Sequence, residues 1–267
     1  MAPPTMIHFV WVGSPFVPTP AQADVMASWK REFPDVERRV WTDFAASRLL
    51  RKYPRVQRAY ARLTPVQKAD VLRYVVMLEH GGVYADLDYE CLRRFEVPDA
   101  PAVVESNFFG TPTGVNNCLL SASRGGERFW ELVVDRVAES VVPSTSTLDV
   151  IASTGPGFLG ERVAEFRGAG GRVDVFPGAL FNPCDDLCGR CGDVDAAYGR
   201  HVSEFSWGTK PMHRVKRVAC SRGMYPVTKR LVPAASRAGG AAYVGVAVAA
   251  VLAVFWAKNQ LKSPGRS

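Results

Sequence analysis

Two aspartates one residue apart, Asp86 and Asp88, close an apolar run that begins at the glycine pair Gly81 and Gly82. In an extended backbone residues i and i+2 point to one side, so both carboxylates are expected to project together from the end of a strand. Such a pair suits a hard divalent cation. Mg²⁺ or Mn²⁺ keeps coordination positions for water and phosphate oxygens, which makes the pair a natural seat for a metal-bound nucleotide diphosphate. A polar strand end at the surface is the plain alternative, and the neighbouring elements decide between the two.

The element that would position this strand lies just upstream. Thr64 can cap a helix and Pro65 suits its first turn, and Val66, Ala69, Leu72, Tyr74, Val75, Val76 and Leu78 give the segment to His80 a broad apolar face that Gly81 and Gly82 end. Asp70 and Arg73 are three apart on that helix, hence neighbours on one face. An intrahelical ion pair is one reading. The other is a donor-holding pair, with Asp accepting from sugar hydroxyls and Arg gripping a phosphate or hydroxyl through its planar fork. Ile7 to Gly13 reads as a short strand buried on both faces. Trp11, near its end, is placed either to stack on a nucleobase outside the carboxyl ends of a parallel sheet or to pack in the core.

These three blocks, Ile7 to Gly13, Lys68 to Tyr74 and Gly81 to Asp88, together resemble glycosyltransferases that contain the DXD sugar-binding region. The resemblance is to the yeast α-1,6-mannosyltransferase and inositol-phosphorylceramide mannosyltransferase type, and to the glucosylating domains of large clostridial toxins. Further along, Val115 to Ser121 resembles the family's Ser-Asn strand with Asn116 where Ser is usual; Thr154 to Pro156, and His201 with Ser206 and Trp207, resemble its last blocks. The resemblance implies a GT-A fold, a nucleotide-sugar donor such as GDP-mannose or a UDP-hexose, a divalent metal, and transfer with retention of configuration. It implies that Trp11 stacks on the base and that Asp70 and Arg73 hold the donor sugar. It also puts Asp86 on ribose, sugar or metal, makes Asp88 the principal metal ligand, turns Asn117 to metal or donor, and closes Ser206 and Trp207 over the diphosphate.

The chemistry expected there follows from charge. Cleaving a sugar–phosphate bond leaves negative charge on the diphosphate, which a metal stabilises as a Lewis acid with Arg73 adding to it. Retention then runs through front-face attack by the acceptor hydroxyl or through a double displacement on a carboxylate such as Glu105 or Asp149.

A chain of 267 residues with 47% hydrophobic residues is long enough for one substantial core. Its alternation of apolar runs with helical patterns predicts an α/β, GT-A-like nucleotide-sugar-binding fold over residues 1–230. Helices are expected over Ala21 to Phe33, Phe44 to Lys52, Val56 to Leu63, Glu127 to Glu139 and part of Asp149 to Phe166; strands over Arg38 to Trp41, Ala102 to Glu105, Cys118 to Ser121 and Arg172 to Phe176. After a linker at 231–237, residues 238–257 carry no charge and read as a transmembrane helix with a tail at 258–267. No charged-then-apolar leader precedes Ile7, and Lys216, Arg217, Arg222, Lys229, Arg230 and Arg237 flank the span on one side. That arrangement favours a tail anchor with a cytosol-facing domain, whereas the resemblance points to a Golgi lumen.

The net charge of +7 suits anionic lipid headgroups or an acidic phospholipid acceptor at a membrane, and no nucleic-acid motif accompanies it; the acceptor itself stays open as a lipid, a glycan or a protein. Cys184, Cys188 and Cys191 form a CxxxCxxC cluster open to four readings: an iron–sulfur triad, zinc with Cys220, His201 or His213, a disulfide, or free thiols. Two functional classes stand: a membrane-anchored retaining hexosyltransferase, and a noncatalytic membrane-tethered sugar- or nucleotide-binding module. The intact Asp70, Arg73, Asp86 and Asp88 favour the first.

Overall fold

A computed structural model describes residues 2–108, 111–202, 213, 216, 217, 220 and 221. Strand β1 (Met6–Val10) is followed by helix α1 (Pro20–Glu32) and strand β2 (Glu37–Trp41). Helices α2 (Asp43–Leu49), α3 (Pro54–Tyr60) and α4 (Pro65–His80) come next, with a 3₁₀ turn at Leu50–Lys52. Strands β3 (Gly82–Ala85), β4 (Tyr89–Cys91), β5 (Ala102–Phe108) and β6 (Thr111–Ala122) lead to α5 (Arg128–Ser140), α6 (Thr147–Ser153) and α7 (Pro156–Gly168). Strand β7 (Asp174–Phe176), helix α8 (Gly178–Phe181) and strand β8 (Gly199–His201) complete the order.

Six strands make one mixed sheet, β2-β1-β3-β6-β5-β7, and β4 with β8 makes a separate antiparallel ribbon. β1 runs parallel to both β2 and β3, so the chain turns to opposite sides of β1 and the ends of β1 and β3 open on one edge. In open α/β sheets that reversal point is where ligands collect. Alternation along the strands divides the core: Ile7, Phe9, Val83 and Ala85 pack with α1 and β4 on one face, while Val10, Tyr84 and Leu120 pack with α2 to α5 and α7 on the other.

Helix α4 begins as expected. Thr64 and Gln67 form a capping box and Pro65 occupies the first turn. It ends at Gly81, and Gly82 has φ +79°, where an added Cβ would lie 2.3 Å from the Met6 carbonyl oxygen. Only glycine lets the chain drop from α4 straight into β3 beside β1.

Two sequence expectations are corrected here. The strand ends at Ala85, so Asp86 and Asp88 are not an i, i+2 pair on an extended backbone; they occupy a turn in which Tyr89 N–H donates to Asp86 C=O at 2.9 Å. The turn is what carries the chain from the main sheet into the ribbon. The cysteine readings as free thiols, zinc ligands or an iron–sulfur triad also give way, because Cys184 bonds Cys191 and Cys188 bonds Cys220. Among the described residues no helix is long and apolar enough to cross a membrane. The expected span at 238–257, its linker and tail, and Ser206 and Trp207 lie outside the described residues.

Candidate functional site

Helix α4 turns Asp70, Arg73 and Tyr74 towards the sheet, at the i, i+3 and i+4 spacing that defines one helix face. All three are buried among Tyr84, Asn117 and Thr154. Arg73 is the hub: Nη2 lies 3.2 Å from Asp70 Oδ1, while Nη1 lies 3.0 Å from Asp86 Oδ1 and donates to the Asn117 carbonyl at 2.8 Å. Its guanidinium also lies 4.7 Å above the Tyr84 ring. Asp70 is held from the other side as well, with Oδ1 accepting from Asn117 Nδ2 at 2.9 Å and Oδ2 from Thr154 Oγ1 at 2.8 Å. Tyr74 closes the cluster by donating to the Thr154 carbonyl at 2.7 Å.

Burial pushes the Asp70 carboxyl above its usual range, against the pull of Arg73 and the hydrogen bonds from Thr154 and Asn117. Asp86 is raised for the same reason, with Arg73 lowering it and Asp88 raising it further. Burial alone would lower Arg73, but Asp86, Tyr84 and Asp70 outweigh it and keep the guanidinium protonated. Arg73 thus binds two carboxylates together, and the fork that was expected to grip a donor is engaged within the protein.

The second part of the site comes from the ribbon. β8 pairs with β4 so that His201 stands opposite Tyr89, and His201 Nε2 is 3.2 Å from Asp88 Oδ1. The other ring nitrogen faces Asp186 Oδ1 at 3.5 Å. Asp186 is itself fixed by Ser106 Oγ at 2.7 Å, Asn107 N–H at 2.8 Å and Asn182 Nδ2 at 2.9 Å. Burial would lower His201, but Cys118, Asp88 and Asp186 outweigh it and hold the imidazole well above its usual range. Burial pushes the Cys118 thiol up to about 11, so it is neutral near pH 7 and the carboxylates sustain the imidazolium.

Asp86, Asp88 and His201 each offer one ligand atom, and these atoms lie within 4.8 Å of one another. Opposite ligands around a small divalent cation are separated by roughly 4.2 Å, so the three donors would share one coordination sphere after drawing in by a few tenths of an ångström. The two carboxylate oxygens suit a hard divalent cation such as Mg²⁺ or Mn²⁺, and the imidazole nitrogen adds a donor of the kind transition metals take. Sequence reasoning placed His201 in a family block without joining it to the carboxylates, and it named Thr154 without a partner.

Trp11 follows β1 on the edge where β3 delivers Asp86. It is partly buried, meets the Phe16 ring edge-on at 5.8 Å, and donates through Nε1 to Ser14 Oγ at 3.1 Å. Asn116 Oδ1 accepts from Cys118 N–H at 3.0 Å within its own strand. The two carboxylates considered as nucleophiles are each engaged elsewhere: Glu105 of β5 accepts from Gly178 N–H at 2.9 Å at the start of α8, and Asp149 accepts from Ser144 Oγ at 2.8 Å beside α6.

Residues 20–108 match the family model described as a glycosyltransferase sugar-binding region containing the DXD motif. Inositol phosphoceramide mannosyltransferase 3 of Schizosaccharomyces pombe is 30% identical over 129 residues, which are 47% of this chain and 35% of the relative. Mannosyl phosphorylinositol ceramide synthase CSH1 of Saccharomyces cerevisiae is 26% identical over 129 residues, 47% of this chain and 34% of the relative. The chain therefore spans about a third of the length of these curated relatives. Among solved structures, the PaToxG glycosyltransferase aligns with a TM-score of 0.49 at 16% identity, over 62% of this chain and 72% of that one. The segment from Pro20 to Phe108, and with it Asp70, Arg73, Asp86 and Asp88, is what this chain shares with the glycosyltransferase sugar-binding region that contains the DXD motif.

Proposed function

We propose that the chain is a metal-dependent, retaining glycosyltransferase of the GT-A type, moving a hexose from GDP-mannose or a UDP-hexose to a membrane-associated acceptor. The observation that carries this reading is the convergence of Asp86, Asp88 and His201 beside the Asp70–Arg73 pair, at the edge where β1 and β3 end. The names of the yeast relatives support mannose as the sugar and a phosphorylated sphingolipid as the acceptor. In the same reading residues 1–230 are the catalytic domain and 238–257 its membrane anchor.

Asp88 and His201 would hold the cation with Asp86, and Asp186 would fix the imidazole from behind so that its Nε2 faces the metal. A bound divalent cation supplies Lewis-acid stabilisation to the leaving diphosphate. Asp70 Oδ2 accepts one hydrogen bond, from Thr154, and has a lone pair left to orient a donor-sugar hydroxyl. Arg73 acts through Asp70 and Asp86, fixing their carboxylates rather than touching phosphate. Trp11 offers a ring for the base, while Asn117 supports Asp70; Ser206 and Trp207 would close the diphosphate pocket. With Glu105 and Asp149 engaged in structural hydrogen bonds, front-face attack is favoured, the acceptor proton passing to the departing phosphate oxygen as the new glycosidic bond forms and the sugar–phosphate bond breaks. The two disulfides favour an oxidising compartment such as the Golgi lumen over the cytosolic side that the flanking charges suggested.

The test is donor-sugar hydrolysis by the full chain across UDP- and GDP-sugars with Mn²⁺, Mg²⁺ or chelator. Turnover of one donor that vanishes with chelator and in Asp88→Ala is expected. Absence of both turnover and nucleotide binding with every metal overturns the reading.

A further inference from the structure

A second concentration of charge lies on the flank of the sheet, away from the carboxylates. β2 is an edge strand, and between it, α2, the 3₁₀ turn and the end of α4 opens a cavity of about 460 Å³. Arg39, Arg48, Arg51 and Lys52 line it against a single carboxylate, Glu79. Glu79 is already engaged, by the Lys52 ammonium and by the Tyr53 hydroxyl at 2.8 Å. Arg39, Arg48 and Arg51 form no ion pair among the described residues; Arg39 rests over the Trp41 ring at 4.0 Å and Arg48 near the Phe44 ring at 5.9 Å.

Three guanidinium groups on one cavity wall repel each other, and ring contacts offset that repulsion only in part. A phosphate relieves it, since the planar fork of Arg matches phosphate oxygens in pairs. His80 adds a further group to the same wall, with Nε2 buried and without a hydrogen-bond partner. The rim decides the kind of phosphate. Phe44, in the first turn of α2, is 73% exposed and lines the same cavity. A water-soluble anion gives that ring nothing to bury against, whereas a bilayer offers an apolar boundary just beneath its phosphates.

We propose that this pocket receives the phosphate headgroup of an anionic phospholipid, with Phe44 entering the acyl boundary beside it. It is a second contact with the membrane, independent of the donor site and of any anchor.

The full chain in neutral detergent micelles is titrated calorimetrically with phosphatidylglycerol-doped micelles, phosphatidylcholine-doped micelles and inorganic phosphate. About tenfold tighter binding is expected for the phosphatidylglycerol micelles than for either comparison. The double variant Arg48→Gln with Arg51→Gln should lose that preference, and Phe44→Ser should weaken micelle binding while leaving inorganic phosphate unaffected. Equal affinity for both lipids, equal affinity for inorganic phosphate, or a preference surviving in the double variant overturns the proposal. Thermal unfolding verifies that each variant is folded; should the double variant fail to fold, Phe44→Ser decides, and undiminished micelle binding there overturns the proposal. Hydrolysis of donor sugar by Phe44→Ser at the unmodified rate, and lipid preference retained in Asp88→Ala, separate this pocket from the donor site.

Discussion

The two halves of the candidate site are built by opposite means. Asp70, Arg73, Asn117 and Thr154 sit inside the core, each polar group matched by another and all of them carried by α4, β6 and the approach to α7. Asp88 and His201 meet at the rim, on a turn and a two-stranded ribbon, and are 29% and 11% exposed. The buried half holds shape and keeps one acceptor position, on Asp70 Oδ2, for a ligand. The rim half has donors facing one another with a proton between them, which an incoming cation can replace. Rigidity and reactivity are thus divided between two adjoining clusters that distant parts of the chain assemble.

Substitutions at the two halves should therefore fail in different ways. The largest effect is expected at the rim: Asp88→Asn should cut donor-sugar hydrolysis by roughly 10²–10³-fold while the urea midpoint stays where it was. A large stability loss there would break the comparison. Asp70→Ala should act on the fold, leaving Arg73 with the Asp86 carboxylate alone and stranding the Thr154 and Asn117 donors, at a cost of about 2–3 kcal/mol of stability by urea unfolding. A neutral result would mean that the buried cluster is not what holds this region together.

Asp186→Asn tests the support behind His201 and should weaken Mn²⁺ binding by roughly 10–100-fold, measured by titration with the intact chain. The smallest effect concerns the scaffold under the buried half. His8 is neutral in the fold, pushed down to about 3 chiefly by burial, and accepts from Trp41 Nε1 while donating to the Gly81 carbonyl. Its stabilisation is present above the unfolded value of about 6.5 and is lost as the pH falls through that value towards 3. Between pH 7 and pH 5.5 this amounts to about 1 kcal/mol, and His8→Gln should remove that part of the pH dependence in urea midpoints.

Much of the buried half was legible in the sequence because its signals are local. Thr64, Pro65 and the glycine pair bound α4, and a three-residue spacing sets Asp70 beside Arg73. What those residues hold was not legible. Arg73 was expected to reach a donor, but its partners include Asp86 from the next turn and Asn117 from β6, whose carbonyl lies 44 residues away in sequence. Thr154 meets Asp70 across 84 residues and His201 meets Asp88 across 113, distances over which spacing carries no geometric information. The turn at Asp86 escaped because its apolar lead-in looks the same whether the strand stops at Ala85 or continues. The Cys188–Cys220 pairing joins residues 32 apart and was one of several arrangements that the cluster allowed.

The pairing of β4 with β8 also sets a timetable for the newborn protein. The 113 residues between Asp88 and His201 take roughly 6–23 s to synthesise at ordinary ribosome speeds. Throughout that interval the segment carrying Asp70, Arg73 and both turn aspartates is already synthesised, with one member of its cluster still untranslated. A chain released before His201 would keep the entire DXD segment and still lack the imidazole, so the three-donor cluster cannot be complete until the ribbon closes.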